Sequence, residues 1–141
     1  MITIIAKEYI WEMSHRLTFH KGPCKNIHGH SYKMRVEIEG ETDENMMVLD
    51  YYEIDKIIAP IINSLDHAFV CSDDDELMIN FLDTNGFKYI VINGFTTAEN
   101  LVTYITNIIK PKFEEHKNIF MLKVRVYETL DAYAERKINL R

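Results

Sequence analysis

The chain has 141 residues, of which 47% are hydrophobic and 27% charged, and it carries a formal net charge of −6 at pH 7. That length supplies one domain with a buried core and is short for two, and the composition is that of a folded globular chain. The acidic balance without a basic patch excludes a general nucleic-acid binder. The opening segment, interrupted by Lys7, Glu8 and Glu12, excludes a signal peptide or membrane span, so a cytoplasmic protein is expected.

Ile2 to Met13 is rich in aromatic and β-branched residues and predicts a strand. Ser31 to Gly40 alternates strictly, with Tyr32, Met34, Val36 and Ile38 on one face and Lys33, Arg35, Glu37 and Glu39 on the other. This is the pattern of a half-buried antiparallel strand. A polar turn and Met46 to Leu49 follow, predicting a hairpin over Ser31–Leu49. Asp50 is a helix N-cap with Glu53 three residues on, and Ile54, Ile57, Ile58, Ile61 and Ile62 recur at helical spacing. Pro60 within that pattern predicts a kink or an end near Ala59.

Val70 to Gly86 reads as a polar loop holding one helical turn near Leu77–Leu82, and Phe87 to Ile92 as a short strand. Thr96-Thr97-Ala98-Glu99 has capping-box spacing, ahead of Leu101, Val102, Ile105, Ile108 and Ile109, so a second helix is expected to run to about Pro111. Phe120, Leu122, Val124 and Val126 then alternate with polar residues in a strand ending at Glu128, with Tyr133 to Leu140 as its partner. The expectation is one α+β domain spanning 1–141, an antiparallel sheet covered on one face by two helices.

The chemistry is concentrated early. In a strand, residues two apart share a face, so His28 and His30 can converge on one ion, and His15 can reach them from a paired strand. Cys24 lies four residues before His28. Two sites are compatible with this set: a closed one, with Cys24 as fourth ligand, and an open, catalytic one in which the thiol stands free as base or nucleophile. A disulfide between Cys24 and Cys71 is the weaker reading. A cupin site requires a glutamate soon after the second histidine, where Met34 and Arg35 stand instead. Asp66 and His67 set a carboxylate beside an imidazole, which by itself describes a polar helix C-terminus. Glu128 by itself is a strand-end charge, and Glu99 half of a capping box.

Five ordered motifs go further: Ser14-His15-Arg16-Leu17, Cys24 with His28-Gly29-His30-Ser31-Tyr32, Leu65-Asp66-His67, Thr97-Ala98-Glu99-Asn100-Leu101 and Tyr127-Glu128-Thr129. Together they resemble the 6-pyruvoyl-tetrahydropterin and 6-carboxy-tetrahydropterin synthase family. The three-residue gap between Cys24 and His28 resembles the 6-carboxy branch, the enzymes of queuosine and other 7-deazaguanine synthesis. The resemblance implies a tunnelling fold (T-fold) of four antiparallel strands and two helices, assembled into a homo-oligomer with interfacial sites. It implies Zn2+ on His15, His28 and His30, Cys24 as catalytic thiol, Asp66 and His67 as a proton relay and Glu128 as pterin anchor. Roles in substrate binding for Thr97 and Glu99 carry over less directly, because Thr96 stands where the family often has proline. The implied substrate is 7,8-dihydroneopterin triphosphate, which loses triphosphate and acetaldehyde to give 6-carboxy-tetrahydropterin. Arg16, Lys21 and Lys25 are the basic residues nearest the site and the expected triphosphate contacts. The alternatives are a 6-pyruvoyl-tetrahydropterin synthase and a non-catalytic protein with a closed zinc site.

Overall fold

A computed structural model describes residues 1–141. The elements in chain order are β1 (Ile2–His15), β2 (His28–Glu41), α1 (Tyr51–Leu65), β3 (Ala68–Ser72), α2 (Glu76–Thr84), β4 (Tyr89–Ile92), α3 (Ala98–Glu114), β5 (Ile119–Thr129) and β6 (Ala132–Asn139), with a short 3-10 turn at Pro23–Lys25. The strands form one sheet in the order β4-β3-β1-β2-β5-β6. Contacts from β1 through β2 and β5 to β6 are antiparallel, while β3 pairs parallel with both β1 and β4. No helix is long and apolar enough to cross a membrane.

The expected α+β class and antiparallel core are present, but the sheet is six-stranded and mixed, and there are three helices rather than two. The difference lies in the segment read as a polar loop. All five residues of β3 are buried, and alternation sends Val70 into the main core with Ile92, while Phe69 and Cys71 pack with Met78 and Leu82 of α2. Thus α2 lies against the face opposite α1 and α3. With only two buried side chains in α2, its apolar stripe is too narrow to stand out from its acidic surroundings.

The predicted Ser31–Leu49 hairpin does not form. Both edges of β2 are taken, one by β1 along its full length and the other by β5. The Asp43 carboxylate folds the next segment into a turn by accepting from the backbone N–H groups of Asn45 (2.8 Å) and Met47 (3.1 Å).

Neither proline ends its helix. Asp50 caps α1 as expected, accepting from the Tyr52 N–H at 2.9 Å. The helix then passes Pro60 and runs to Leu65, because Ile54, Ile58, Ile61 and Leu65 are buried while Pro60 faces solvent. α3 likewise passes Pro111, held by Leu101, Val102, Ile105, Ile109 and Phe113. Its cap is Thr97, which accepts from the Asn100 N–H at 3.2 Å. Thr96 and Glu99 therefore do not form the predicted capping box: Thr96 turns inward at 3% exposure and Glu99 stays exposed.

Candidate functional site

The register of β1 on β2 builds the site. His15 and His28 are directly opposite as the last pair of the ladder, and Met13 opposes His30. Alternation puts all three imidazoles on the face that carries α1 and α3, beyond the end of the apolar core. Gly29 sits between the two β2 histidines, where a Cβ would come within 3.2 Å of the Met13 carbonyl oxygen. A small residue there allows the strands to close up beneath the rings.

One nitrogen from each imidazole lies within 4.8 Å of the others. His15 Nδ1 is 2.8 Å from the Thr96 carbonyl oxygen, and His28 Nδ1 is 2.7 Å from that of Asn26. A carbonyl only accepts, so both Nδ1 atoms carry the proton and both Nε2 atoms present a lone pair. Nε2 of His15 and of His30 are buried without an aligned hydrogen-bond partner. Three converging imidazole nitrogens, two of them buried and unpartnered and two set by their Nδ1 bonds, are the donor set of a transition-metal site, so the residues fit a metal ion.

Glu128, at the end of β5, brings a carboxylate oxygen to 3.2 Å from His15 Nε2 and 3.6 Å from His30 Nε2. When His15 also carries a proton on Nε2, that N–H, with His30 and His28 behind it, holds the Glu128 carboxyl below the usual carboxylate range despite burial. Burial lowers the basicity of His30, against the opposing pull of Glu128. The Tyr32 ring lies beneath this group, 5.5 Å from that of His30 and 6.3 Å from that of His15. Burial, reinforced by Glu128, raises the pKa of its hydroxyl.

The other expected residues are distributed around this cluster. Cys24 is half-buried in the 3-10 turn, where its carbonyl accepts from the Leu17 N–H at 2.8 Å, and its sulfur is not part of the three-imidazole group. Asp66 is the C-cap of α1, and its Oδ1 lies 3.0 Å from both the Glu12 N–H nitrogen and His67 Nδ1. The backbone hydrogen bond from Glu12 is the main reason its carboxyl is held below the usual range. His67 is exposed, has left-handed backbone (φ 60°), and lines a recess of about 340 Å³ with Glu12, Ser31 and His30. A wider cleft joins His30 and Ser31 to Glu128 and the β5–β6 turn.

No hydrogen bond or ion pair links the Thr97 or Glu99 side chain to the histidines; Thr97 is occupied as the α3 cap. Arg16 is not free for an anion, because it forms a bidentate pair with buried Asp75 at 2.8 and 2.6 Å. Lys21 and Lys25 are exposed. Three residues that shape the site escaped the sequence reading. Tyr32 has the pattern of a core residue, Thr96 that of a cap, and Asp75 that of one carboxylate in an acidic run.

Fold and site together define an α+β protein with a three-imidazole cluster able to hold a metal ion and an adjacent carboxylate at one end of its sheet. The model of the 6-pyruvoyl tetrahydropterin synthase family matches residues 4–138, and the chain belongs to that family. A Haemophilus influenzae protein named 6-carboxy-5,6,7,8-tetrahydropterin synthase is 30% identical over 139 residues, covering 93% of this chain and 96% of that one. A Rickettsia conorii protein of the same name is 30% identical over 128 residues, covering 89% and 93%. Among solved structures, 6-pyruvoyl tetrahydropterin synthase from Plasmodium vivax superposes with a TM-score of 0.79 at 19% identity, covering 99% of both chains.

Proposed function

We propose that the protein is a zinc-dependent lyase that converts 7,8-dihydroneopterin triphosphate to 6-carboxy-5,6,7,8-tetrahydropterin, releasing acetaldehyde and triphosphate. The observation that carries this reading is the convergence of His15, His28 and His30, with Nδ1 of two of them tied to backbone carbonyls. The relatives named for this activity and the Cys24–His28 spacing support the 6-carboxy assignment over the 6-pyruvoyl one. Zinc bound there would supply Lewis acidity toward the oxygens of the substrate side chain.

The chain's own groups fill complementary roles. Glu128 is ionised at neutral pH, and a carboxylate can accept two parallel hydrogen bonds from the 2-amino-4-oxo edge of a pterin, fixing the ring without reacting with it. Because Cys24 stands apart from the imidazole group, its thiol is free to take or return a proton at the pterin side chain, which favours an open site over a closed one. Asp66, 3.0 Å from His67 Nδ1, orients that imidazole and fixes its tautomer, leaving Nε2 to relay the proton.

His67 shares its recess with His30 and with Glu12 and Ser31, which alternate onto the face of the sheet opposite the imidazole cluster. That position suits service to the site of a neighbouring subunit. Two further features support a homo-oligomer. The outer edge of β1 is unpaired except at Met13 and Ser14, and β6 is a free edge strand.

Incubation with 7,8-dihydroneopterin triphosphate followed by product mass tests the reaction. Release of acetaldehyde with a product bearing a one-carbon carboxyl substituent is expected. A product that keeps all three side-chain carbons would assign 6-pyruvoyl chemistry instead, and absence of turnover by the zinc-loaded protein would remove the enzymatic reading.

A further inference from the structure

Thr96 is fully enclosed, at 3% exposure, and its side chain faces a residue 81 positions away in sequence. Its carbonyl oxygen accepts the His15 Nδ1 proton at 2.8 Å, and its hydroxyl oxygen lies 3.2 Å from the same nitrogen. The hydroxyl hydrogen is directed elsewhere: Oγ1 donates to the Arg16 carbonyl oxygen at 3.2 Å. One side chain thus accepts from the His15 ring and donates to the next peptide. Arg16 is itself held by Asp75, which also caps α2. The end of β1 is therefore fixed from two directions, by Thr96 ahead of α3 and by Asp75 at the start of α2.

The consequence is geometric. The backbone carbonyl alone sets the His15 tautomer, yet a single acceptor leaves the ring free to pivot about that contact. A second acceptor on the same N–H, anchored to the peptide that follows His15, removes that freedom. Partners of this kind govern how tightly a histidine holds a metal, because they orient the ring and raise the basicity of the ligating nitrogen.

We propose that the Thr96 hydroxyl is a positioning group for His15, setting the affinity and coordination geometry of the three-imidazole site. The inference rests on the metal-binding part of the function proposed above, and it concerns this side chain alone. Thr96→Val keeps the shape and the carbonyl while removing both hydroxyl contacts, and Thr96→Ser keeps the hydroxyl while removing only the methyl.

Zinc dissociation constants measured by competition with a chromophoric chelator, together with the visible spectrum of the Co2+-loaded protein, decide the matter without any assay of turnover. The valine variant is expected to bind zinc roughly tenfold more weakly and to show an altered Co2+ d–d band, with the serine variant restoring both. Thermal unfolding of the metal-free proteins supplies the control for folding. If the valine variant loses thermal stability but binds zinc as tightly as the wild type, Thr96 is only a packing residue and the proposal fails. Failure of serine to restore affinity assigns the effect to the methyl group and also overturns it. If the wild type binds neither ion, the metal reading falls, and this inference with it.

Discussion

At the scale of single residues, the site is a set of polar groups whose partners are already chosen. The carbonyls of Thr96 and Asn26 select the tautomers of His15 and His28, and the nitrogens left over point at one another. The same principle explains Arg16, which looked available for an anion and is instead committed to Asp75. The guanidinium hydrogen bonds hold the Asp75 carboxyl below the usual carboxylate range, overcoming its burial. A depressed folded-state value means that the stabilisation is present above the unfolded value of about 3.9 and fades as pH falls through the folded one. Asp75→Asn should therefore lower unfolding free energy at pH 7 by roughly 2–3 kcal/mol, below the range for fully buried pairs because Arg16 is partly solvated. The gap from wild type should narrow below about pH 4. Urea titrations at both pH values check this, and a gap that stays constant would mean that the ion pair is not its source.

At the scale of elements, what lies under each residue decides whether its pattern is visible in the sequence. The isoleucine spacing in α1 and the alternation in β2 were legible because burial is one-sided and periodic, and both elements appear where expected. Neither proline ends its helix, because an exposed proline removes one hydrogen bond without disturbing the face that holds the helix to the sheet. Pro60 lies on the solvent side, between the buried Ile58 and Ile61. Pro60→Ala should restore the missing backbone bond and stabilise the protein by about 1–2 kcal/mol, the helix-interior penalty being partly offset by the greater freedom of the unfolded chain. Chemical denaturation gives the value, and a destabilised variant would show that the packing depends on the proline ring itself. β3 and α2 were illegible for a different reason. A five-residue strand buried on both faces has no alternation to read, and its role appears only when β1 and β4 flank it.

At the scale of the whole molecule, the three histidines and Glu128 share one end and one face of the sheet, while His67 lies beside Glu12 and Ser31, which alternate onto the other face. If active sites combine Cys24 of one subunit with His67 of its neighbour, two inactive variants should complement each other. Equal mixing of unfolded Cys24→Ala and His67→Ala chains, followed by co-refolding, should restore about a quarter of the wild-type sites, since each shared site then draws one intact residue from each parent. Activity no higher than that of either parent would confine each site to a single chain. The free edges of β1 and β6 are what such assembly would use, and on the uncovered face of β1, β2, β5 and β6 Arg125 stacks on Tyr133 at 4.2 Å and pairs with Glu135 at 2.8 Å. These contacts lie within one subunit and satisfy the charges on a face that no helix covers.

The sequence by itself determined the α+β class, the principal strands and helices, and the His15, His28 and His30 set. Strand alternation and helical spacing are local consequences of one-sided burial, and two histidines two apart on a strand must share a face. Tertiary structure alone decided that His15 is the residue directly opposite His28, that Arg16 belongs to Asp75 rather than to an anion, and that Thr96 faces His15 instead of capping α3. Each of those pairings joins residues that the chain separates but the sheet register brings together, and no local periodicity encodes a register between distant segments. Only folding, by burying His15 to 1% exposure, makes the choice of hydrogen-bond partner for its ring a matter of energy.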